Sequence, residues 1–167
     1  MSPPSSSDLN AVAELYRSSY SRLVGVVTLA AGSRAEAEEC VQEAFLRLLR
    51  VWGSVSRYDD PEAWLRLVAF RLAAKRRRKA GNAARALLRL HDAKPNVGPD
   101  SIGPDVRAAL GQLSLSQRQV VVLHHLVGLS VDEVARQLEL PTGTVKSRLS
   151  RARTLLAPLL AEENSHA

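Results

Sequence analysis

Apolar residues recur every three or four positions along most of this chain, and this spacing is the sequence feature that most restricts the possible folds. Three stripes of this kind occur in the first half: Val12, Tyr16, Tyr20, Leu23 and Val27; Ala37, Val41, Ala44, Leu48 and Trp52; Trp64, Val68 and Leu72. Side chains at this spacing share one face of an α-helix. No strand-like alternation or hairpin dipeptide separates apolar runs. The sequence therefore predicts an all-α fold.

Capping residues and glycines indicate where the first three helices begin and end. We expect the first helix to run from near Asp8 to around Gly32. A capping box at Ser33 then starts the second helix, and Gly53 stops it. After a loop, Asp60 can cap a third helix that opens with a proline. These three helices predict a first bundle.

Proline and glycine divide the chain into two small helical domains. Four helix breakers interrupt the middle of the sequence: Pro95, Gly98, Pro99 and Gly103. The expected organisation is a disordered tail (1–7), a helical domain (8–80), a flexible linker (81–103) that keeps one short helix near 83–90, a second helical domain (104–160) and a tail (161–167). In the second domain we expect a short helix over 105–113, and another that starts at Ser116 with Gln119 and closes at Gly128.

The second domain contains the pattern of a helix-turn-helix. Ser130 and Glu133 form a capping box ahead of a helix of about two turns, and Leu140 and Pro141 interrupt that helix. Thr142 can cap the next helix. Its inward stripe consists of Val145, Leu149, Ala152 and Leu156. Pro158 is expected to bend or end this helix near Ala157.

The outward face of this last helix is small, polar and basic. Advancing about 100° per residue from Val145 turns four small residues outward and places Lys146 and Arg151 beside them: Gly143, Ser147, Ser150 and Thr154. Small residues allow close approach to the major groove, while Lys and Arg reach phosphates and guanine edges. The pattern predicts binding to duplex DNA. The alternative is an ordinary helical hairpin whose polar face meets only solvent.

A second basic region runs from Arg66 to Arg89 with nine Lys or Arg residues and no acidic one. Trp52 and Tyr58 precede it, and aromatic rings beside cations can hold unpaired bases. The first domain could thus bind opened DNA. The alternative is that the cations only complement the negative C-terminal end of their own helix. The second helix is acidic instead, at Glu36, Glu38, Glu39 and Glu43. These acidic residues could bind a basic protein partner. The alternative is that they only complement the positive N-terminal end of their own helix.

Composition limits the kinds of partner that this chain can bind and the places where it can act. The net charge of +6 favours an anionic partner, and no apolar run is long enough to insert in a membrane. The N-terminal tail lacks an apolar signal segment, so a cytoplasmic location is expected. Cys40, the single cysteine, is interpreted as a small core residue. The adjacent His124 and His125 point about 100° apart on a helix, so that a shared metal is not expected.

Two sets of motifs resemble the extracytoplasmic-function (ECF) group of bacterial sigma factors in the sigma-70 family. Residues 37–45 (AEECVQEAF) resemble that family's segment for docking on the polymerase clamp, and 61–65 (PEAWL) with the basic run resembles its minus-ten element reader. Residues 129–135 (LSVDEVA) and 143–149 (GTVKSRL) resemble the part that reads the minus-thirty-five element. The resemblance covers nearly everything from Leu9 to Leu156.

The resemblance implies a protein that binds core RNA polymerase, directs it to promoter DNA and helps to open the duplex. It implies no enzyme activity, cofactor, metal or small-molecule substrate, and it allows an anti-sigma factor as a further partner. The residues that it assigns to the polymerase clamp are Glu39, Gln42, Glu43 and Leu46. Those assigned to minus-ten DNA are Tyr58, Arg66, Arg71, Lys75 and Arg76. Those assigned to the minus-thirty-five duplex are Thr144, Lys146, Ser147, Arg148 and Arg151. At Arg71, where the family often has Asn, contact with phosphate is the expectation.

Two other classes of protein compete with this interpretation. A stand-alone helix-turn-helix regulator would use residues 9–79 for sensing or dimerisation and bind a palindromic operator. That reading leaves the cationic end of the first domain unexplained. An enzyme is the third class, but the chain has no phosphate-binding glycine loop and no metal-spaced Cys and His set.

Overall fold

A computed structural model of the protein describes residues 3–79 and 103–164. Within these ranges every regular element is helical, as the apolar spacing predicts. The α-helices are α1 (Ser6–Ala31), α2 (Arg34–Val55), α3 (Pro61–Lys79), α4 (Pro104–Gly111), α5 (Leu115–Val121), α6 (Val131–Leu138) and α7 (Thr142–Asn164), with a π-helical turn over Val122–Leu126. The expected short helix near 83–90 lies outside the described residues.

Local capping explains the helix boundaries in the first half. The Ser5 hydroxyl accepts from the Asp8 amide at 3.1 Å, and α1 ends at Gly32 in the left-handed conformation, φ +88°. Asp60 accepts from the Ala63 amide at 3.0 Å and so caps α3. The expectation that Gly53 stops α2 is wrong, because the helix continues to Val55. An exposed glycine weakens a helix by only about 1 kcal/mol.

Helices α1, α2 and α3 pack around a shared apolar core. The side chains that are shielded from solvent come from all three helices: Leu23, Val24, Val27, Val41, Leu48 and Leu65. Cys40 is also buried, and burial raises the pKa of its thiol to about 11. It is a core residue, as interpreted from the sequence. The Arg22 guanidinium pairs with Glu62 at 2.6 Å and joins α1 to α3 at the surface.

The second half forms around α5 and α7. Helix α5 starts two residues earlier than expected, because Ser114 and Gln117, rather than Ser116 and Gln119, form its capping box. The buried Arg118 donates to the carbonyl oxygens of Leu110 and Leu113, at 3.0 and 3.2 Å, and so ties α4 to α5. Partner oxygens at this distance stabilise a buried guanidinium.

The π-helical turn lies between α5 and the helix-turn-helix. The Val127 amide donates to Val122 O at 3.0 Å, five residues back, and Gly128 then reverses the chain with φ +82°. His124 is half-buried, with its Nδ1 2.7 Å from the Leu129 carbonyl oxygen. Within residues 3–79 and 103–164, no helix combines the length and apolarity that crossing a bilayer requires.

Candidate nucleic-acid interface

Helices α6 and α7 form the expected helix-turn-helix. Ser130 and Glu133 make the predicted capping box. The Ser130 hydroxyl accepts from the Glu133 amide at 3.2 Å, and the Glu133 carboxylate accepts from the Ser130 amide at 2.7 Å. Glu139 ends α6 in the left-handed conformation, φ 52°. The Pro141 carbonyl oxygen then accepts from the Thr144 and Val145 amides. The first turn of α7 therefore begins from Pro141, one residue before the expected cap, Thr142.

The faces of α7 divide as the sequence predicts. Val145, Leu149 and Ala152 are buried, whereas Lys146, Ser147 and Arg151 are exposed. Thr144 and Arg148 are half-buried at the edges of the exposed face. The Ser147 hydroxyl donates to the Thr144 carbonyl oxygen at 3.1 Å, which folds this side chain against its own helix. The resulting exposed face is low in relief and positively charged.

Helix α7 continues through Pro158 to Asn164, so of the two outcomes expected at this proline, a bend or an end near Ala157, the end is wrong. Proline removes one hydrogen-bond donor and crowds the carbonyl four residues earlier. Residues 157–159 are exposed, which gives water access to the groups that proline leaves unpaired. A fourth basic residue of this helix, Arg153, acts on His125, whose pKa is lowered by partial burial and by the charges of His124 and Arg153.

The structure spreads the five residues assigned to minus-ten DNA over different surroundings. Tyr58 is 51% exposed, in the turn between α2 and α3. Lys75 and Arg71 are exposed on α3, and Arg71 donates from Nε to the Gln137 side chain of α6. Arg66 is half-buried, with its guanidinium 3.9 Å from the Asp60 carboxylate. These three cations lie on one helix, and two of them, Arg66 and Arg71, already contact polar side chains of the protein.

The four residues assigned to the polymerase clamp lie together on α2. Glu39, Gln42 and Leu46 are exposed and Glu43 is half-buried. Hydrogen bonding from Arg47 is the main cause that lowers the pKa of the Glu43 carboxyl, which keeps this face negatively charged. Leu46 is 60% exposed, so an apolar side chain is presented beside the carboxylates. This combination suits a protein partner better than DNA.

Arg76 connects the two assigned surfaces. Its guanidinium pairs with Glu39 and lies 3.5 Å from the Glu36 carboxylate and 3.6 Å from that of Glu43. A residue assigned to DNA is therefore held by two residues assigned to polymerase. The sequence could have indicated this contact only through the opposite charges of α2 and α3.

Sequence reasoning missed an aromatic patch beside the acidic face of α2. The ring of Tyr16 stacks on that of Tyr20 at a centroid distance of 4.6 Å and meets the edge of Phe45 at 4.9 Å. The Tyr20 hydroxyl accepts from Gln42 at 3.3 Å. Tyr16 stays 39% exposed, so this ring reaches the surface of the protein. The signal was the four-residue spacing of the two tyrosines.

The two halves of the sequence match two family profiles. Residues 15–83 match sigma-70 region 2, and residues 105–156 match sigma-70, region 4. In the part of the chain that the structure describes, no group of three or more His, Cys, Asp or Glu side chains is placed to hold a metal ion.

Curated relatives and a solved structure extend this likeness over most of the chain. It is 32% identical to the ECF RNA polymerase sigma factor SigM of Mycobacterium tuberculosis, over 95% of this chain and 81% of SigM. It is also 32% identical to the ECF RNA polymerase sigma factor SigE of Mycolicibacterium smegmatis, over 91% of this chain; the aligned part spans 62% of SigE. The sigma factor RpoE from Bartonella quintana, solved in complex with the anti-sigma factor NepR, aligns with a TM-score of 0.54. The identity is 26%, over 83% of this chain and 89% of that one.

Proposed function

Because this chain belongs to the ECF family of RNA polymerase sigma factors, we propose that it binds core RNA polymerase and directs it to promoters with minus-ten and minus-thirty-five elements. It assists promoter opening but does no chemistry itself, since the polymerase makes the transcript. The observation that carries the proposal is the exposed basic face of α7, on a chain that also has a cationic helix beside an acidic one. A stand-alone helix-turn-helix regulator that binds an operator needs only the basic face of α7.

The minus-thirty-five duplex is assigned to the exposed face of α7. Lys146 and Arg151 reach phosphates or guanine edges there, while Ser147 lets the helix approach the groove. Thr144 and Arg148 contact DNA from the edges of the face. The capped helix α6 fixes the angle at which α7 meets the duplex.

The minus-ten element is assigned to the turn before α3 and to α3 itself. The exposed ring of Tyr58 offers a stacking surface for an unpaired base. Arg66, Arg71 and Lys75 follow the phosphate backbone along the helix. Arg76 joins them only when it leaves the carboxylates of α2.

Core polymerase is assigned to the acidic face of α2. Glu39 and Glu43 match a basic surface on the partner, while Gln42 and Leu46 supply a hydrogen bond and apolar contact. The solved relative RpoE is bound to an anti-sigma factor, which supports an anti-sigma factor as a partner of this chain as well. The protein acts in the cytoplasm, where polymerase and DNA meet.

Run-off transcription with purified core polymerase tests the proposal. With the full chain added, genomic fragments should yield transcripts whose start sites share two upstream sequence elements at constant spacing. The chain alone should show no comparably tight, specific duplex binding. Tight binding to a palindromic site without polymerase, with no new transcripts, would instead establish a helix-turn-helix regulator.

Matched variants separate the two assigned surfaces. Arg151→Ala should weaken promoter binding by the holoenzyme about 5- to 150-fold, the range for one lost guanine contact. Arg153→Ala is its control, since Arg153 is an exposed arginine of the same helix and its charge lowers the pKa of His125. Leu46→Asp should weaken polymerase binding, with Val51→Asp, on another face of α2, as control. If Arg151→Ala and Arg153→Ala have equal effects, the assignment of the α7 face is wrong.

A further inference from the structure

Arg76 lies at the boundary between the acidic face of α2 and a basic stripe on α3. The basic stripe consists of Arg71, Lys75 and Lys79, which are exposed and follow one another every four residues, so they share one face of the helix. Arg76 precedes Lys79 by three residues and therefore borders the same face. Its guanidinium, however, contacts the carboxylates of α2.

The carboxylates that hold Arg76 come from one face of α2. Glu36, Glu39 and Glu43 are spaced by three and four residues, so they are neighbours on the helix surface. Hydrogen bonding to Glu39 is the main cause that raises the pKa of the Arg76 guanidinium. Three negative charges around one positive charge leave it with little net attraction for a phosphate group. In this arrangement Arg76 is not available to DNA.

The two carboxylates assigned to polymerase already have cationic partners. One oxygen of Glu43 accepts from Arg47 at 2.6 Å, and the other lies 3.6 Å from Arg76. Glu39 pairs with Arg76. A cationic group of polymerase that binds these carboxylates comes close to the Arg76 guanidinium, and the two positive charges repel each other. Polymerase and Arg76 therefore compete for the same oxygens.

The ion pairs of Arg76 are weak enough to be exchanged. The side chain of Arg76 is 34% exposed, and that of Glu39 is 63% exposed. Water screens pairs at this exposure, so each stabilises the fold only slightly. A protein interface excludes water and strengthens the contacts that the partner makes to the same carboxylates. Docking on α2 can thus displace Arg76 without disturbing the apolar core of the bundle.

We propose that docking of core polymerase on the acidic face of α2 releases Arg76, and that the freed guanidinium then joins the basic stripe of α3 and binds a phosphate of promoter DNA. The inference rests on the proposed function, because it takes polymerase and DNA as the partners of these two helices. Each partner favours binding of the other, since the coupling between two sites is reciprocal. Arg76 makes DNA binding by the first domain depend on polymerase.

Arg76→Ala should change two affinities in opposite directions. Without the guanidinium, Glu39 and Glu43 are free, so the variant should bind purified core polymerase about 1.5- to 5-fold more tightly, the range that one exposed ion pair allows. Its holoenzyme should bind DNA more weakly, measured with a labelled single-stranded oligonucleotide that carries the minus-ten element of a promoter selected by run-off transcription. A purely structural role of Arg76 would instead weaken both interactions.

The salt dependence of oligonucleotide binding counts the phosphate contacts in each state. For a single strand, the slope of log affinity against log salt changes by about 0.7 for each contact. In the holoenzyme, Arg76→Ala should reduce the slope by about this amount, whereas in the free chain the slope should hardly change. Lys75→Ala is the matched control. Lys75 is exposed on the basic stripe without polymerase, so its loss should reduce the slope in both states.

Glu39→Gln tests the release of Arg76 without polymerase. In the free chain, this substitution should raise oligonucleotide affinity about 1.5- to 5-fold, because it removes one ion pair of Arg76. Adding Arg76→Ala should abolish the gain. Glu14→Gln is the control, since it removes the same charge from an exposed pair on α1. Its smaller gain should not depend on Arg76. Circular dichroism should show that each variant stays folded.

Three results would overturn the release of Arg76 by polymerase. They are weaker polymerase binding by Arg76→Ala, an equal change of its salt slope in free chain and holoenzyme, and a Glu39→Gln gain that persists without Arg76. Any of these in a parent protein that binds core polymerase and initiates transcription refutes this inference alone. A parent protein that binds no core polymerase contradicts the proposed function itself.

Discussion

Arg76→Ala should destabilise the free protein by about 1–2 kcal/mol. The guanidinium lies within ion-pair distance of three carboxylates of α2, on side chains that remain between 34% and 63% exposed. Exposed pairs contribute about 0.2–1 kcal/mol each because water screens them. Because the three pairs share one ordered guanidinium, the entropy lost on fixing the Arg76 side chain counts only once. Removing Arg76 also leaves Glu36, Glu39 and Glu43 to repel each other along one helix face.

Urea unfolding followed by circular dichroism measures this loss. At low salt the unfolding midpoint of Arg76→Ala should fall, and most of the difference should disappear in 1 M NaCl, where the Debye length is about 3 Å. A double-mutant cycle with Glu39→Gln should show coupling between the two residues. Arg17→Ala is the control, since Arg17 forms a single, more exposed pair with Glu14 and should change the midpoint less.

Two results would refute this reasoning about Arg76. One is an Arg76→Ala midpoint within error of the parent protein, which would mean that the ion pairs add nothing measurable to folding. The other is a loss that 1 M NaCl leaves unchanged, which would mean that packing of the arginine stem, and not charge, stabilises the contact between α2 and α3.

Three further predictions follow from burial and capping. Leu65→Ala, at a fully buried position of α3, should lower the free energy of unfolding by about 2–5 kcal/mol in urea titrations; a loss under 1 kcal/mol would contradict the packing. Ser130→Ala removes the α6 cap and should lower the free energy of unfolding by about 1 kcal/mol, measured by thermal unfolding. Ser21→Ala, at an exposed mid-helix site, is the control and should not cause this loss. Cys40 should resist a thiol reagent at pH 8 until the protein unfolds. Because its pKa of about 11 lies above that of an unfolded thiol, stability should fall as pH rises above about 9; rapid reaction of the folded chain would refute its burial.

Local signals in the sequence predicted the helix-turn-helix well. The box of Ser130 and Glu133 and the buried stripe at Val145 and Leu149 depend on residues a few positions apart, and both are present in the structure. Helix ends were predicted less well. Gly53 lies inside α2 because an exposed glycine weakens a helix by only about 1 kcal/mol, and Pro158 lies inside α7 at an exposed stretch where water reaches the groups that proline leaves unpaired.

Contacts between distant segments could not be predicted from periodicity. The partners of Arg76 lie on another helix, and those of Gln119 and Arg71 lie in the other half of the chain. Charge and spacing show that a side chain can pair, but only the packing of the helices shows with which residue. For this reason the roles of Arg71 and Arg76 at DNA stay predictions, while their positions in the fold are known.

The spacing between the two promoter elements tests the central claim most directly, namely that one chain binds both elements at once while attached to polymerase. On a promoter selected by run-off transcription, inserting five base pairs between the elements rotates one by about half a turn relative to the other. Initiation by the holoenzyme should then fall at least about tenfold, the equivalent of about 1.4 kcal/mol of lost binding. Initiation that is unchanged by the insertion would contradict the claim.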